Sequence, residues 1–251
     1  MSSKEKIKFM TYNVWSNEHV AVYRRIQAIS KLIARHEPHV IFLQLSKLDA
    51  DDAHIRRWAE SVSPPRIEPP GLLSPMVYKP FPPWHPRSAH RVCAATCRLV
   101  PPTPTDVGAA ERRASAALFL DHFDVVHRHG DVVLGGDFSW DEDLDGPLRL
   151  GPGWVDAWKE LRGDGDGDGG GAWTYDAVAN PMLKGWRKPE MRKRPDRFLC
   201  RLRDFKLDSV EMVGVEPIPG VTHCDDMGNV LPVLPSHHFG LLLTIAPQIH
   251  K

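Results

Sequence analysis

Nowhere in its 251 residues does this chain hold an apolar run near the roughly 20 residues that span a bilayer. No membrane segment is expected. The first fifteen residues, MSSKEKIKFMTYNVW, carry charge but lack the apolar core of a secretory leader, so the expected location is nuclear or cytoplasmic, not secreted. Cysteine is sparse. Cys93, Cys97, Cys200 and Cys224 show neither a zinc-type spacing nor a disulfide framework, and they read as reduced thiols. Net charge is lacking too, at +0, which removes any overall pull toward one class of partner. Calcium is excluded where it looks nearest. Residues 163–171, GDGDGDGGG, imitate a D-x-D-x-D-G loop from Asp164, but its twelfth position is Tyr175, where a bidentate Glu is required. That segment reads as a flexible, low-complexity loop.

What the chain does have is ordinary globular material, 42% hydrophobic and 25% charged. The length suits one large domain or two small ones, and a single domain over 1–251 is expected. Zero net charge conceals an asymmetry. Residues 131–168 hold eleven acids against three bases, and residues 184–206 hold ten bases against three acids. A metal site beside a phosphate-bearing ligand would suit that division, and so would two solvated faces of opposite sign.

Periodicity supplies the elements. IKFMTYNVW alternates as a strand ending near Asn13 and Trp15. HVAVYRRIQAISKLIARHEP places Val22, Ile26, Ile29, Leu32 and Ile33 at helical spacing, and Pro38 closes the helix. HVIFLQL is a second buried strand, so the first fifty residues predict a βαβ-like unit or a layered α/β sandwich. Residues 61–105 form a divergent proline-rich segment that excludes central strands over most of its length, although HRVCAATCRLV within it can be one. DVGAAERRASAALFLDHFDVVHRHG predicts a helix, and DRFLCRL, FKLDSVEMVG and FGLLLTI supply further strands.

The stretch VVLGGDFSW, residues 132–140, poses the chemical question. A buried strand runs into two glycines that free the backbone, and then into Asp137. Asp137 suits an ordinary turn or a helix N-cap. It equally suits a catalytic carboxylate on a rigid strand end, where α/β proteins commonly place their chemistry.

Taken in order, TYNVW, GGDFSWDED, WTYDAVANPML, DRFLCRL and LPSHHFGLLLTI resemble the endonuclease/exonuclease/phosphatase superfamily, and within it the 5′-tyrosyl-DNA phosphodiesterase branch. The resemblance covers about residues 6–44 and 92–245. It implies a four-layer α/β sandwich, with two central mixed sheets face to face and helices outside. It also implies Mg²⁺- or Mn²⁺-assisted hydrolysis of a phosphodiester at a DNA 5′ end. By the same resemblance, Asn13 orients the metal carboxylate and a phosphate oxygen and stands at the metal. Asp137 positions or deprotonates the attacking water. Asp196 pairs with His238, which stabilises charge on the phosphoryl oxygens, a coherent acid–base set.

The departures from the resemblance matter as much. Leu45 stands where the family has its main magnesium ligand, a Glu, as if an internal segment including that Glu had dropped out. Leucine has no oxygen to give a hard cation. Asp49, Asp51 and Asp52 follow closely and are candidate substitutes, or residues of a solvated loop. Arg98 replaces a phosphate-contacting His and can bind phosphate as a fixed cation. Ser139 replaces an Asn and keeps one donor. His237 replaces an Asp; it suits a softer ion such as Mn²⁺ or Zn²⁺, or is half of a surface pair.

Arg192, Lys193 and Arg194 lie in the basic run and suit either steering of a DNA end or a solvated loop. Trp140, Trp173 and Trp186 suit base stacking or the core. Three functions are therefore expected to compete: a metal-dependent phosphodiesterase with activity weakened or lost, a non-catalytic relative that binds DNA or a protein partner, and a shortened product whose sheets stay open. No oligomeric state follows from the sequence.

Overall fold

Alternation in IKFMTYNV sends Phe9 to one side and Met10, Tyr12 and Val14 to the other, so strand β1 (Ile7–Val14) is buried on both faces. The computed structural model describes residues 6–15, 17, 19–45, 79–80, 92–102, 107–163, 173–183 and 190–248. From β1 the chain enters helix α1 (Val22–His36), whose Ile29, with half-buried Leu32 and Ile33, rests on Met10, Tyr12 and Val14. Strand β2 (Val40–Leu45) then returns parallel to β1, pairing Asn13 with Gln44 and Val14 with Leu45. This is the βαβ unit that the periodicity predicts.

Two sheets face each other. The first has β10 (Phe205–Val213), β13 (Gly240–Pro247), β1 and β2 in that order, antiparallel except for the β1–β2 pair. The second has β3 (Lys79–Pro80), β4 (Val92–Arg98), β5 (Asp131–Asp137), β9 (Asp196–Arg201) and β6 (Val155–Asp156), with only β4–β5 parallel. Phe9, Phe42, Val133, Phe198, Leu241 and Ile245 fill the space between them. Outside the second sheet, helix α2 (Ala109–Val126) lays Ala116, Leu120 and Phe123 on Ala95, Val132 and Leu134. With α1 outside the first sheet, the result is a four-layer α/β sandwich with mixed sheets. Helices α3 (Glu142–Asp145) and α4 (Ala157–Arg162) and the ribbons β7 (Tyr175–Asp176)–β8 (Arg192–Lys193) and β11 (Thr222–Cys224)–β12 (Val230–Pro232) decorate it.

Two expectations need correction or completion. Gly135 and Gly136 do not relax the backbone, for neither has a positive φ. They are needed for space. A Cβ on Gly135 would lie 2.6 Å from the rings of Phe42 and Phe198, and one on Gly136 would lie 2.1 Å from the Cys97 carbonyl oxygen. Within the proline-rich segment, β4 is a fully paired strand, whereas Pro80 sits on the two-residue edge strand, where a missing donor is tolerated. Most of residues 61–105, and all but the first residue of the 163–171 loop, lie outside the described residues.

A buried ion pair ties α2 to α3. Arg112 donates to both oxygens of Asp145 at 2.9 and 2.8 Å and to the Val100 carbonyl at 3.0 Å, with both side chains fully buried. Removing one partner strands the other's charge, which typically costs about 3–5 kcal/mol. Asp145→Ala is therefore expected to lower the unfolding free energy by about that amount in urea titration. The Arg112→Met/Asp145→Leu double variant should recover much of the loss.

Candidate active site

Register carries three candidate site residues to one level. Arg98 at the end of β4 lies opposite Asp137 at the end of β5, and Asp137 lies opposite Asp196 at the start of β9. The fourth comes from the facing sheet. Asn13, near the end of β1, donates from Nδ2 to Asp137 Oδ2 at 2.8 Å. The other oxygen, Asp137 Oδ1, accepts from the backbone N–H of Ser139 at 2.7 Å and its hydroxyl at 3.1 Å. Asp137 is thus a turn-closing residue and a strand-end carboxylate at once. Ser139 holds that turn at φ 47°, a left-handed conformation that a side chain adopts at a cost and that asparagine tolerates better. Beside them, Arg98 Nε lies 3.9 Å from Asp137 Oδ2, an ionic contact longer than a hydrogen bond.

His238 stands in the turn before β13. Its Nδ1 is 2.7 Å from Asp196 Oδ2, which also accepts from the Thr174 hydroxyl at 2.6 Å. Ser236 ties this turn to β1 by donating to the Asn13 carbonyl at 2.7 Å. Burial disfavours the imidazolium, but Asp196, with help from Asp137, outweighs it, so the His238 pKa stands above its ordinary 6.5; Arg98 offsets part of that rise. The rim is aromatic. His237 packs against Trp15, Tyr175 and His238 with ring centroids 5.3, 5.9 and 4.4 Å apart. Arg25, fully buried, lies over Trp15 and donates to the carbonyls of Trp15, Asn17 and Val20 at 2.6–2.8 Å. It pins the loop between β1 and α1.

The two charge runs neutralise each other instead of forming separate faces. Arg194 is buried and pairs with Asp156 at 2.8 Å, Arg197 reaches Asp156 and Glu142, and Lys193 pairs with Asp141. Burial alone would raise the Asp156 carboxyl, but Arg194 and Arg197 hold it below the usual carboxylate range. Arg194 is therefore not a DNA-steering residue, because its charge is spent inside. Arg192 remains exposed, with Asp176 at 3.5 Å. Trp140 takes the core alternative: it is buried, and its indole N–H donates to the Gly146 carbonyl at 2.9 Å. Trp173 is half-buried, while Trp186 lies outside the described residues.

The four-layer sandwich has known counterparts. TDP2 from Caenorhabditis elegans, in truncated form, superposes with a TM-score of 0.70 over 96% of this chain and 98% of its own, at 18% identity. TDP2 from D. rerio complexed with single-strand DNA product gives 0.67 over 96% and 98%, at 19% identity. An endonuclease/exonuclease/phosphatase family protein from Bacteroides thetaiotaomicron gives 0.61 over 98% and 99%, at 11% identity. The fold is that of the endonuclease/exonuclease/phosphatase superfamily. At sequence level no family model matches, and no curated protein matches either.

That superfamily fold implies a magnesium ion, and the residues present do not fit one. Magnesium needs hard oxygens, usually one or two carboxylates with waters. Asp137 has both oxygens committed to Asn13 and Ser139, with Arg98 alongside. Position 45, at the end of β2, is a leucine. One oxygen does suit a ligand: Asn13 Oδ1 is buried without a hydrogen-bond partner among the described residues. His237 belongs to the aromatic rim, and no cluster of three acidic, histidine or cysteine residues able to hold a metal occurs among the described residues. Asp49, Asp51 and Asp52 lie outside them.

Thr174, Ser236, Arg25 and Tyr175 are site-supporting residues that sequence reasoning passed over. Thr174 in WTYD and Ser236 in LPSHH lie inside quoted motifs, but nothing in spacing says that their hydroxyls turn inward. Two measurements test this geometry. In an NMR pH titration, the His238 imidazole should titrate above 6.5, and Asp196→Asn should lower that midpoint. Since folding raises this pKa, the stability it contributes is full below the unfolded value of about 6.5 and fades as pH rises through the folded one. Arg194→Gln should lower thermal stability without changing the salt dependence of DNA binding, whereas Arg192→Gln should leave stability within about 0.5 kcal/mol of the native chain.

Proposed function

We propose that this polar cluster takes up a phosphodiester at a DNA 5′ end and presents it to a water held by Asp137, with hydrolysis slowed by the absence of a carboxylate metal ligand at position 45. One observation carries the reading: Asn13, Asp137, Asp196 and His238 come from both sheets and meet in one hydrogen-bonded cluster. A carboxylate offers about four lone-pair sites, and Asp137 spends three of them on Asn13 and Ser139, leaving one for a water. The Asp196–His238 pair keeps a proton on the imidazole, where it can donate to a phosphoryl or leaving oxygen. Support from outside the chain is the D. rerio TDP2 structure, which holds a single-strand DNA product. Placement in nucleus or cytoplasm belongs to the same proposal.

The second reading, a relative that binds DNA or a protein without cutting, is favoured by Leu45. The two part in a hydrolysis assay on a 5′-tyrosyl oligonucleotide and on bis(4-nitrophenyl) phosphate. Slow turnover is expected in the native chain, and Asp137→Asn and His238→Ala should each reduce it by roughly a hundredfold or to the buffer blank. Turnover untouched by either variant would remove the cluster from the chemistry. DNA binding with no turnover would establish the second reading.

A further inference from the structure

Helix α2 breaks the pattern set by α1. Both lie outside a sheet, but α1 turns Arg24, Gln27, Lys31 and Arg35 to solvent, as a surface helix should. The inward side of α2 is ordinary, with Arg112, Ala116, Leu120 and Phe123 buried. Its outward side is not. Leu118, Val125 and Val126 are 71%, 78% and 56% exposed, and Val100 and Val107 add exposed apolar surface beside the helix start. Of the eleven large apolar side chains exposed among the described residues, five stand here. A helix apolar on both sides is normally covered, and a grouping of exposed apolar side chains marks a contact surface.

What covers it can be read from the order of side chains along that face. Ala110, Ala114, Ala117, Leu118, Asp121 and Val125 are all exposed and share one side of the helix, and their positions are symmetric about a point between 117 and 118. The first half of the set is alanine, and the second half is larger. An identical helix laid antiparallel across that point sets Ala110 against Val125, Ala114 against Asp121 and Ala117 against Leu118. Each larger side chain then meets an alanine, which lets the axes approach to the roughly 8–10 Å of packed helices. Parallel alignment would set alanine against alanine and valine against valine, leaving gaps beside bumps. Charge fits the antiparallel arrangement too. Arg113 of one copy comes within about 1.5 Å, one residue of rise, of the level of Asp121 in the other, and Glu111 lies near the level of His122 on the opposite flank. None of these four enters an ion pair among the described residues. We infer that this chain pairs with a second copy of itself through the outer face of α2, antiparallel about a two-fold axis between Ala117 and Leu118.

The test is sedimentation equilibrium of the full chain up to about 200 μM, because one helix face is a small interface and small interfaces bind weakly. A monomer–dimer equilibrium is expected. Leu118→Glu should weaken it at least about tenfold, by pressing an unpaired charge into the contact. Arg113→Glu and Asp121→Lys should each weaken it by setting like charges opposite one another. An equimolar mixture of those two variants should recover association, because each altered charge then meets its opposite on the other chain. A native chain that stays monomeric over the whole range, a dimer indifferent to Leu118→Glu, or a mixture no better than its parts would overturn the inference. So would a monomer in which the thiol introduced by Leu118→Cys resists alkylation, since the chain itself would then cover the face. All these substitutions fall at exposed positions, and the native chain's own association is read without any variant. No outcome touches the phosphodiester reading, which rests on the polar cluster and its own assay.

Discussion

The hydrogen bond from Asn13 to Asp137 joins the two sheets at the end where the polar cluster gathers. It crosses from β1 in one sheet to β5 in the other over 2.8 Å. Everything around it depends on that crossing. The apolar filling between the sheets sets their separation, and a buried pair of this length forms only if the separation is right. An unpaired Asp137 between packed sheets would carry the desolvation cost of a bare carboxylate. The bond therefore both reports and enforces correct sheet docking. Gln44 adds a second crossing close by, donating to the Thr96 hydroxyl at 3.3 Å, and Thr11 joins the same buried group.

Charge is used differently in the two halves of the second sheet. At the polar cluster, carboxylates stand near a partly exposed guanidinium and a buried imidazole. One layer away, Arg112, Arg194 and Arg197 are buried and committed to Asp145, Asp156 and Glu142. These pairs hold α3 and α4 against the sheet but offer nothing to an incoming phosphate. Counting basic residues along a segment cannot separate these uses. What separates them is how deeply each guanidinium is buried with its acid.

Much of the fold was legible because it is written in alternation and in helical spacing. β1, α1 and β2 follow from residues 6–45, and β5, β9, β10 and β13 from short apolar runs. Site legibility was narrower. Asn13, Asp137, Asp196 and His238 were marked by motif order, and the structure brings them together. Arg194 was misjudged because sequence carries no sign of burial for a charged side chain, and its partner Asp156 is met only on folding; for Trp140 the sequence left base stacking and the core both open, and the structure takes the core. Arg25 was invisible for the opposite reason. Among the exposed charges of an amphipathic helix, nothing distinguishes the one whose donors satisfy three loop carbonyls.

The glycines before Asp137 set a dimension. With no side chain at 135, the rings of Phe42 and Phe198 close over the backbone, and with none at 136 the β4 backbone brings its Cys97 oxygen within 2.1 Å of where a Cβ would stand. The spacing of the cluster is thus fixed by two missing carbon atoms, not by the groups that compose it. A methyl at either place would wedge apart β4 and β5 or the two sheets, and Arg98, Asp137 and Asn13 would separate while each kept its chemistry intact. The chain can therefore change what it presents to a ligand far more readily than it can change how far apart those presentations stand.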